Sequence, residues 1–309
     1  MSVPNTNTSL ADIQTEYGGS NPIEISEYYS NGPLVPSAAP APNGPIPSSG
    51  QISIGQFRGS ENLSFIQATG GTVTTSGDFK IHTFTGGGTF CVSAVGTQPA
   101  CNVVDFLVVA GGGSGGGPSN FGGGGGGGGF RESPGSKGGG YSTSPKAGGS
   151  ALPVSAQGYP ISVGGGGSNS SFSSITSARG GSGGSANFDP GNPGGSGGGG
   201  RRNTGGSGNQ PPVSPPQGNN GGNGPPNPDS TLYGSSGGGA TGSGGNANAA
   251  GGSGATTSAP GSGTTFSVGG HSAAPGATTP TPANSANGGT KSGGGASGIV
   301  VIRYKYQSS

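Results

Sequence analysis

The sequence predicts a mostly β and irregular fold: a small antiparallel β base into which a polyglycine II helix lattice is inserted, with little or no α-helix. Three observations predict it. The 309 residues include 78 Gly and 27 Pro, the residues that most weaken ordinary helices and strands. The glycine is unevenly spread, with 14 in residues 1–110 and 64 in residues 111–298. Strand-forming runs flank the rich tract, VVDFLVV at 103–109 and IVVI at 299–302. Hydrophobic residues make up only 26% and aromatics 6%, so a large apolar core of the usual kind is excluded. Charged residues are 7% and the net charge is +1, which argues against a nucleic-acid footprint of clustered cations.

Residues 1–60 read as a separate module. Leu10, Ile13, Ile23, Ile25, Tyr28 and Tyr29 suit one short helix or a strand pair. Pro36, Pro40, Pro42, Pro45 and Pro47 then impose an extended stretch of the kind that lies on another protein. Ile52, Ile54 and Phe57 resume a strand-like alternation. The start MSVPNTNTSL has neither the basic nor the apolar region of a secretory leader.

Residues 61–110 read as the β base, completed by 299–309. FKIHTF at 79–84, TFCVSAV at 89–95 and VVDFLVV at 103–109 are its strands, separated by glycine-containing turns. The runs at 103–109 and 299–302 are nearly continuous in apolar residues, as strands buried on both faces are, and are expected to share one sheet. Cys91 and Cys101 are equidistant from Gly96, so a hairpin turning there would set them opposite each other, as a disulfide or as two reduced thiols. With His82 they supply too few ligands for zinc, and no metal or cofactor is expected.

Residues 111–298 can be a flexible linker, collagen or polyglycine II. Collagen requires Gly at every third position, and the runs at 122–129 and 197–200 break that period. A linker is disfavoured by order-seeking pieces, YPISV at 159–163, FSSI at 172–175 and TTFSV at 264–268. In polyglycine II the missing Cβ lets threefold coils approach until their backbones hydrogen-bond, replacing an apolar core with paired main-chain groups. At about 3.1 Å per residue a run such as 122–129 extends about 25 Å. Polar segments between runs, at 130–137, 141–147, 188–193, 201–204 and 227–233, read as turns. Such turns carry the candidate receptor-contacting residues Phe130, Arg131, Tyr141, Phe188, Arg201, Arg202 and Tyr233.

The pieces FLVVAGGGSGGG (106–117), YPISVGGGG (159–167), SSFSSITSARGGSGG (170–184) and GGGASGIVVIRYKY (293–306) resemble the glycine-rich domain of phage tail-fibre and virion structural proteins. MSVPNTNTSLADI, GGSNPIEISEYYSNG (18–32) and IPSSGQISIGQFRG (46–59) resemble the N-terminal module of the same proteins. The resemblance implies a particle-bound fibre or adhesin, assembled in the host cytoplasm and exposed on the virion. Its implied partners are other virion proteins of tail or capsid and, through the loops, a host glycan or outer-membrane protein. It also implies a homo-oligomer, with a trimer favoured. The rival within this class is a structural tail or capsid decoration protein without receptor contact.

No enzyme is expected. GxxxxGK[ST] does not occur, and His82 and His271, the two histidines, lack a neighbouring Ser and acidic residue in a nucleophile motif. Asp189 and Asp229 stand in FDPG and NPDS contexts that suit turn formation. Arg-Gly-Gly occurs once, at 179–181, too little for an RNA-binding tract of that type.

Overall fold

The computed structural model describes residues 2–307 except 31, 36–44, 61–64, 98–101, 118–121, 136–139, 187, 226–233, 248 and 273–280. Near the N-terminus, Ser9 caps helix α1 (Leu10–Tyr17): its Oγ accepts from the Asp12 amide at 3.3 Å, and the Asp12 carboxylate accepts from the Ser9 amide at 2.8 Å. Ile13 and Tyr17 turn the buried face of α1 onto Val3, Tyr28, Val35, Ile46 and Phe57, a small core of its own. Phe57 meets Tyr17 and Tyr28 edge-on, each with ring centroids 6.2 Å apart. The alternation expected through Ile52, Ile54 and Phe57 is not a strand. Residues Ile54–Phe57 form a 3-10 turn, because Ser53 and Gln56 cap each other's backbone at its start. Most of the Pro-rich stretch lies outside the described residues, and its last member, Pro47, accepts the Ser30 amide at 2.9 Å.

The described strands are β1 (Gln67–Thr69), β2 (Thr72–Ser76), β3 (Phe79–Phe84), β4 (Gly88–Ala94), β5 (Val103–Val109), β6 (Phe130–Glu132), β7 (Leu152–Pro153), β8 (Gly158–Ser162), β9 (Ser170–Phe172), β10 (Ile175–Ser177), β11 (Ala255–Thr257), β12 (Thr264–Phe266) and β13 (Ile299–Lys305). One antiparallel sheet runs β1-β4-β8-β9-β10. A second runs β2-β3-β13-β5-β6, with β7 also paired to β5, and β11-β12 form a separate ribbon.

The expected partnership of the two apolar runs is present. Val301 of β13 lies opposite Leu107 of β5, and Ile302 opposite Phe106, in antiparallel register. Successive side chains on a strand point to opposite faces. On one face, Phe106, Val108, Val300, Ile302 and Tyr304 meet Phe90, Val92, Tyr159, Ile161 and Phe172 of the other sheet. On the other, Leu107, Val109, Ile299 and Val301 are covered by Phe130, Phe266 and the alanines Ala240, Ala255, Ala259 and Ala286. The β core thus draws β6 to β10 out of the glycine-rich tract, so YPISV and FSSI belong to the base.

The hairpin expected between β4 and β5 does not form, since the two strands belong to different sheets. Asn102 bridges the connection instead, accepting from the Gly96 amide at 2.7 Å and donating to its carbonyl at 2.9 Å. Cys91 is an exposed free thiol on β4, and Cys101 lies outside the described residues.

Between β5 and β13 the chain builds a lattice whose clearest member is the segment 122–129. Gly123, Gly126 and Gly129 donate to Gly184, Gly181 and Ala178, one neighbouring segment read at every third residue. Gly124 and Gly127 donate to Ser235 and Gly238 on a second neighbour, and Gly125 and Gly128 to Gly289 and Ala286 on a third. Its carbonyls accept from three more: Gly113 and Gly116, Ser196 and Gly199, and Gly270. The segment is therefore a threefold coil with six neighbours, the polyglycine II arrangement. None of residues 122–129 has a positive φ, so glycine is needed here for its missing side chain. A Cβ on Gly123, Gly124, Gly126 or Gly128 would lie 1.9–2.2 Å from a carbonyl oxygen of a neighbouring segment.

Candidate functional site

The bonds within the lattice also fix its ends. Ala110, Gly129 and Ala178 are linked at one level, beside the strands that feed the coils. Gly116, Gly123, Gly184 and Gly199 are linked at the opposite level. Gln217 seals the near end: its carbonyl accepts the Phe130 amide at 2.8 Å and its Oε1 accepts the Ala178 amide at 2.8 Å. Residues 185–186 and 188–190 follow Gly184, and residues 201–204 follow Gly199 and Gly200, so both turns begin at this far level.

These two turns are built as one unit. The Asp189 carboxylate accepts the Ala186 amide at 2.8 Å and the Ser185 amide at 3.3 Å, and these bonds hold it below the usual carboxylate range, the Ala186 amide first. Asp189 is thus the turn former that its FDPG context suggested. The Arg201 amide donates to the Asp189 carbonyl at 2.8 Å, and the Arg201 guanidinium donates to the Ser185 carbonyl. Asn203 donates from Nδ2 to the Phe188 carbonyl. Phe188 and Arg202 both carry left-handed backbone, at φ 61° and 52°, a conformation that costs a bulky side chain energy. Phe188 is left 51% exposed.

Behind this pair lies a polar groove of about 470 Å³ lined by Ser114, Ser182, Ser185, Asp189, Pro190, Asn192 and adjoining glycines. Asn192 donates to Ser182 Oγ at 2.8 Å across it. Farther along, Gly205 donates to Asn223 Oδ1 at 2.9 Å and the Asn223 amide to Asn246 Oδ1 at 2.7 Å. Asparagine side chains thus close the ends of successive coils. Their role was not singled out in the sequence, although each follows or interrupts a glycine run.

The seven predicted residues do not share one place. Phe188, Arg201 and Arg202 come together at the far end. Tyr233 lies outside the described residues. The other three belong to the base. Phe130 is 1% exposed on β6 and packs into the sheet, so the expected turn at 130–137 begins with a strand and Phe130 has no surface to offer. Arg131 is half-buried and donates to the Thr176 carbonyl at 3.3 Å. Tyr141 packs under the Arg303 guanidinium, 5.2 Å from its ring centre.

A buried polar cluster surrounds Tyr141, and composition gave no hint of it. Asp105 lies opposite Arg303 across β5 and β13. Its Oδ1 accepts from Ser133 Oγ at 2.6 Å and from the Gly135 amide at 3.1 Å. Burial lowers the Arg303 guanidinium, and Tyr141 and Asp105 oppose that shift. Glu132 is also buried, accepting from the Ser144 amide at 2.9 Å and from Thr257 Oγ1, and burial pushes its carboxyl up. The Asp105 and Glu132 carboxylates are thus satisfied by hydrogen bonds within the base.

No curated protein and no solved structure matches the chain. The family model described as a glycine-rich domain matches residues 84–305, a span that takes in most of the two sheets and the whole lattice. The chain belongs to the glycine-rich domain family.

Proposed function

We propose that this is a phage virion protein, a tail-fibre or tail-associated component that attaches to the particle through residues 1–60 and presents the far-end turns to the host surface. The observation that carries this reading is the unit formed by Phe188, Arg201 and Arg202. Phe188 is left 51% exposed in a turn whose backbone carbonyls accept from Arg201 and Asn203, and Phe188 and Arg202 both hold costly left-handed backbone. Strained backbone kept in place by surrounding bonds is characteristic of binding sites, and aromatic and Arg residues dominate contact energies at recognition surfaces. The lattice supplies the rigid support. Its role is binding, not catalysis, and it needs no cofactor. Other virion proteins, a host glycan or an outer-membrane protein, and further copies of the chain, as a trimer, are its partners in this reading.

The test is adsorption of the phage that carries the chain. Phe188→Ala and Arg202→Ala particles should assemble normally and adsorb to host cells more slowly, and the purified wild-type chain should compete for adsorption. Normal adsorption by the double variant, with the same turns packed against other virion proteins in the assembled particle, would favour a structural decoration role instead.

A further inference from the structure

The base carries a second groove, remote from the far-end turns and independent of their role. It lies where β6 and β7 pair with successive parts of the same edge of β5, leaving Phe106 as its floor. Its volume is about 290 Å³, a size suited to one sugar ring rather than to a peptide. Ile175, Leu152, Pro153 and Pro215 give it apolar walls, while Ser150 and Ser214 add hydroxyls.

Two cations, Arg131 and Lys146, also line it. Burial lowers both, and among the described residues no carboxylate offsets that loss of hydration. Arg131 is held by a neutral carbonyl, that of Thr176. The third charged residue of the lining, Glu132, has both carboxylate oxygens engaged, by the Ser144 amide and Thr257 Oγ1, and its carboxyl is pushed up by burial. Half-buried cations without an anion are costly, and the cost is recovered when a ligand brings the charge.

We infer that this groove binds a small carboxylate-bearing sugar of the uronic acid class, its carboxylate between Arg131 and Lys146 and its ring against the apolar walls. Arg131 supplies a planar fork matched to a carboxylate, and Lys146 a point charge. The C–H face of a pyranose suits Ile175 and Pro215, and its hydroxyls suit Ser150 and Ser214.

The experiment titrates the full-length ¹⁵N-labelled chain with sodium glucuronate and follows the amides of Ala151 and Ile175. Saturable shifts with a Kd of about 1 mM or tighter are expected. Glucose, which lacks the carboxylate, and inorganic phosphate, which lacks the ring, should each bind at least about tenfold more weakly. Arg131→Gln and Lys146→Met, each shown folded by its amide spectrum, should weaken glucuronate by a similar factor. Lys146→Met keeps the apolar stem and tests the site even if the β6 variant unfolds. The Ser185 and Ala186 amides of the far-end turns should not shift with glucuronate, which separates the two sites, and shifts there in place of Ala151 and Ile175 would overturn the assignment. Absence of saturable shifts, equal binding by Lys146→Met, or phosphate binding as tightly as glucuronate would each overturn the assignment.

Discussion

The backbone amide of Gly126 donates to the carbonyl of Gly181 at 2.8 Å, tying one threefold coil to the next where an ordinary protein would place two side chains. A methyl group on Gly126 would lie 2.2 Å from the Ser196 carbonyl oxygen, on backbone that cannot turn away. Gly126→Ala should therefore cost at least about 1–3 kcal/mol, the usual range for overpacking. Gly294→Ala, where nothing lies within 4 Å, should be neutral or gain up to about 1 kcal/mol by restricting the unfolded chain. Urea denaturation of the two variants checks the contrast.

Phe130 and Phe188 should separate stability from recognition. Phe130→Ala removes a ring buried against β5 and β12 and should cost about 3–5 kcal/mol. Phe188→Gly relieves the left-handed backbone and should be neutral or stabilising by about 1 kcal/mol while slowing host adsorption. Thermal unfolding and adsorption, measured side by side, read the two effects.

Two buried groups predict opposing pH dependences. His82 Nδ1 donates to the Gly70 carbonyl at 2.7 Å and Nε2 accepts from the Tyr304 hydroxyl at 3.0 Å, and burial lowers the ring below its ordinary value. The unfolded chain thus binds more protons here, and stability is present above about pH 6.5 and lost as pH falls below it. Glu132 behaves in reverse: its folded carboxyl is raised, so its stabilising contribution is full below about pH 4.5 and is lost as pH rises through the raised value. Glu132→Gln should therefore raise Tm relative to wild type at about pH 8, with the difference shrinking toward about pH 4. A difference independent of pH would contradict the assignment.

Removing the turn former should loosen the far end alone. Asp189→Ala deletes the acceptor for the Ser185 and Ala186 amides. Hydrogen exchange should speed up at 185–189 and stay unchanged at 123–129, which draw their bonds from other segments.

The lattice and the β5–β13 pair were legible in the sequence because each follows from one strong local signal: glycine runs with too little apolar area for another core, and unbroken β-branched runs at both ends of them. Phe130 was not legible. It opens the polar segment FRESPGSK, and its strand is three residues long, specified by the edge of β5 rather than by its own pattern. The absent β4–β5 hairpin has a similar cause. Neighbouring strands usually pair, but here Asn102 closes the connection locally while β4 goes to β8. At the far end, Phe188 and Arg201 were visible as residue types, yet their proximity depends on lattice bonds between segments that no spacing reveals.

The most direct test of the account is a through-hydrogen-bond scalar coupling experiment on the glycine-rich segment, recording correlations from amide nitrogens to acceptor carbonyl carbons. The account predicts cross-peaks from Gly123 to Gly184, Gly126 to Gly181 and Gly129 to Ala178, repeating at every third residue. Rapidly exchanging amides over 123–129, with no such cross-peaks, would contradict it.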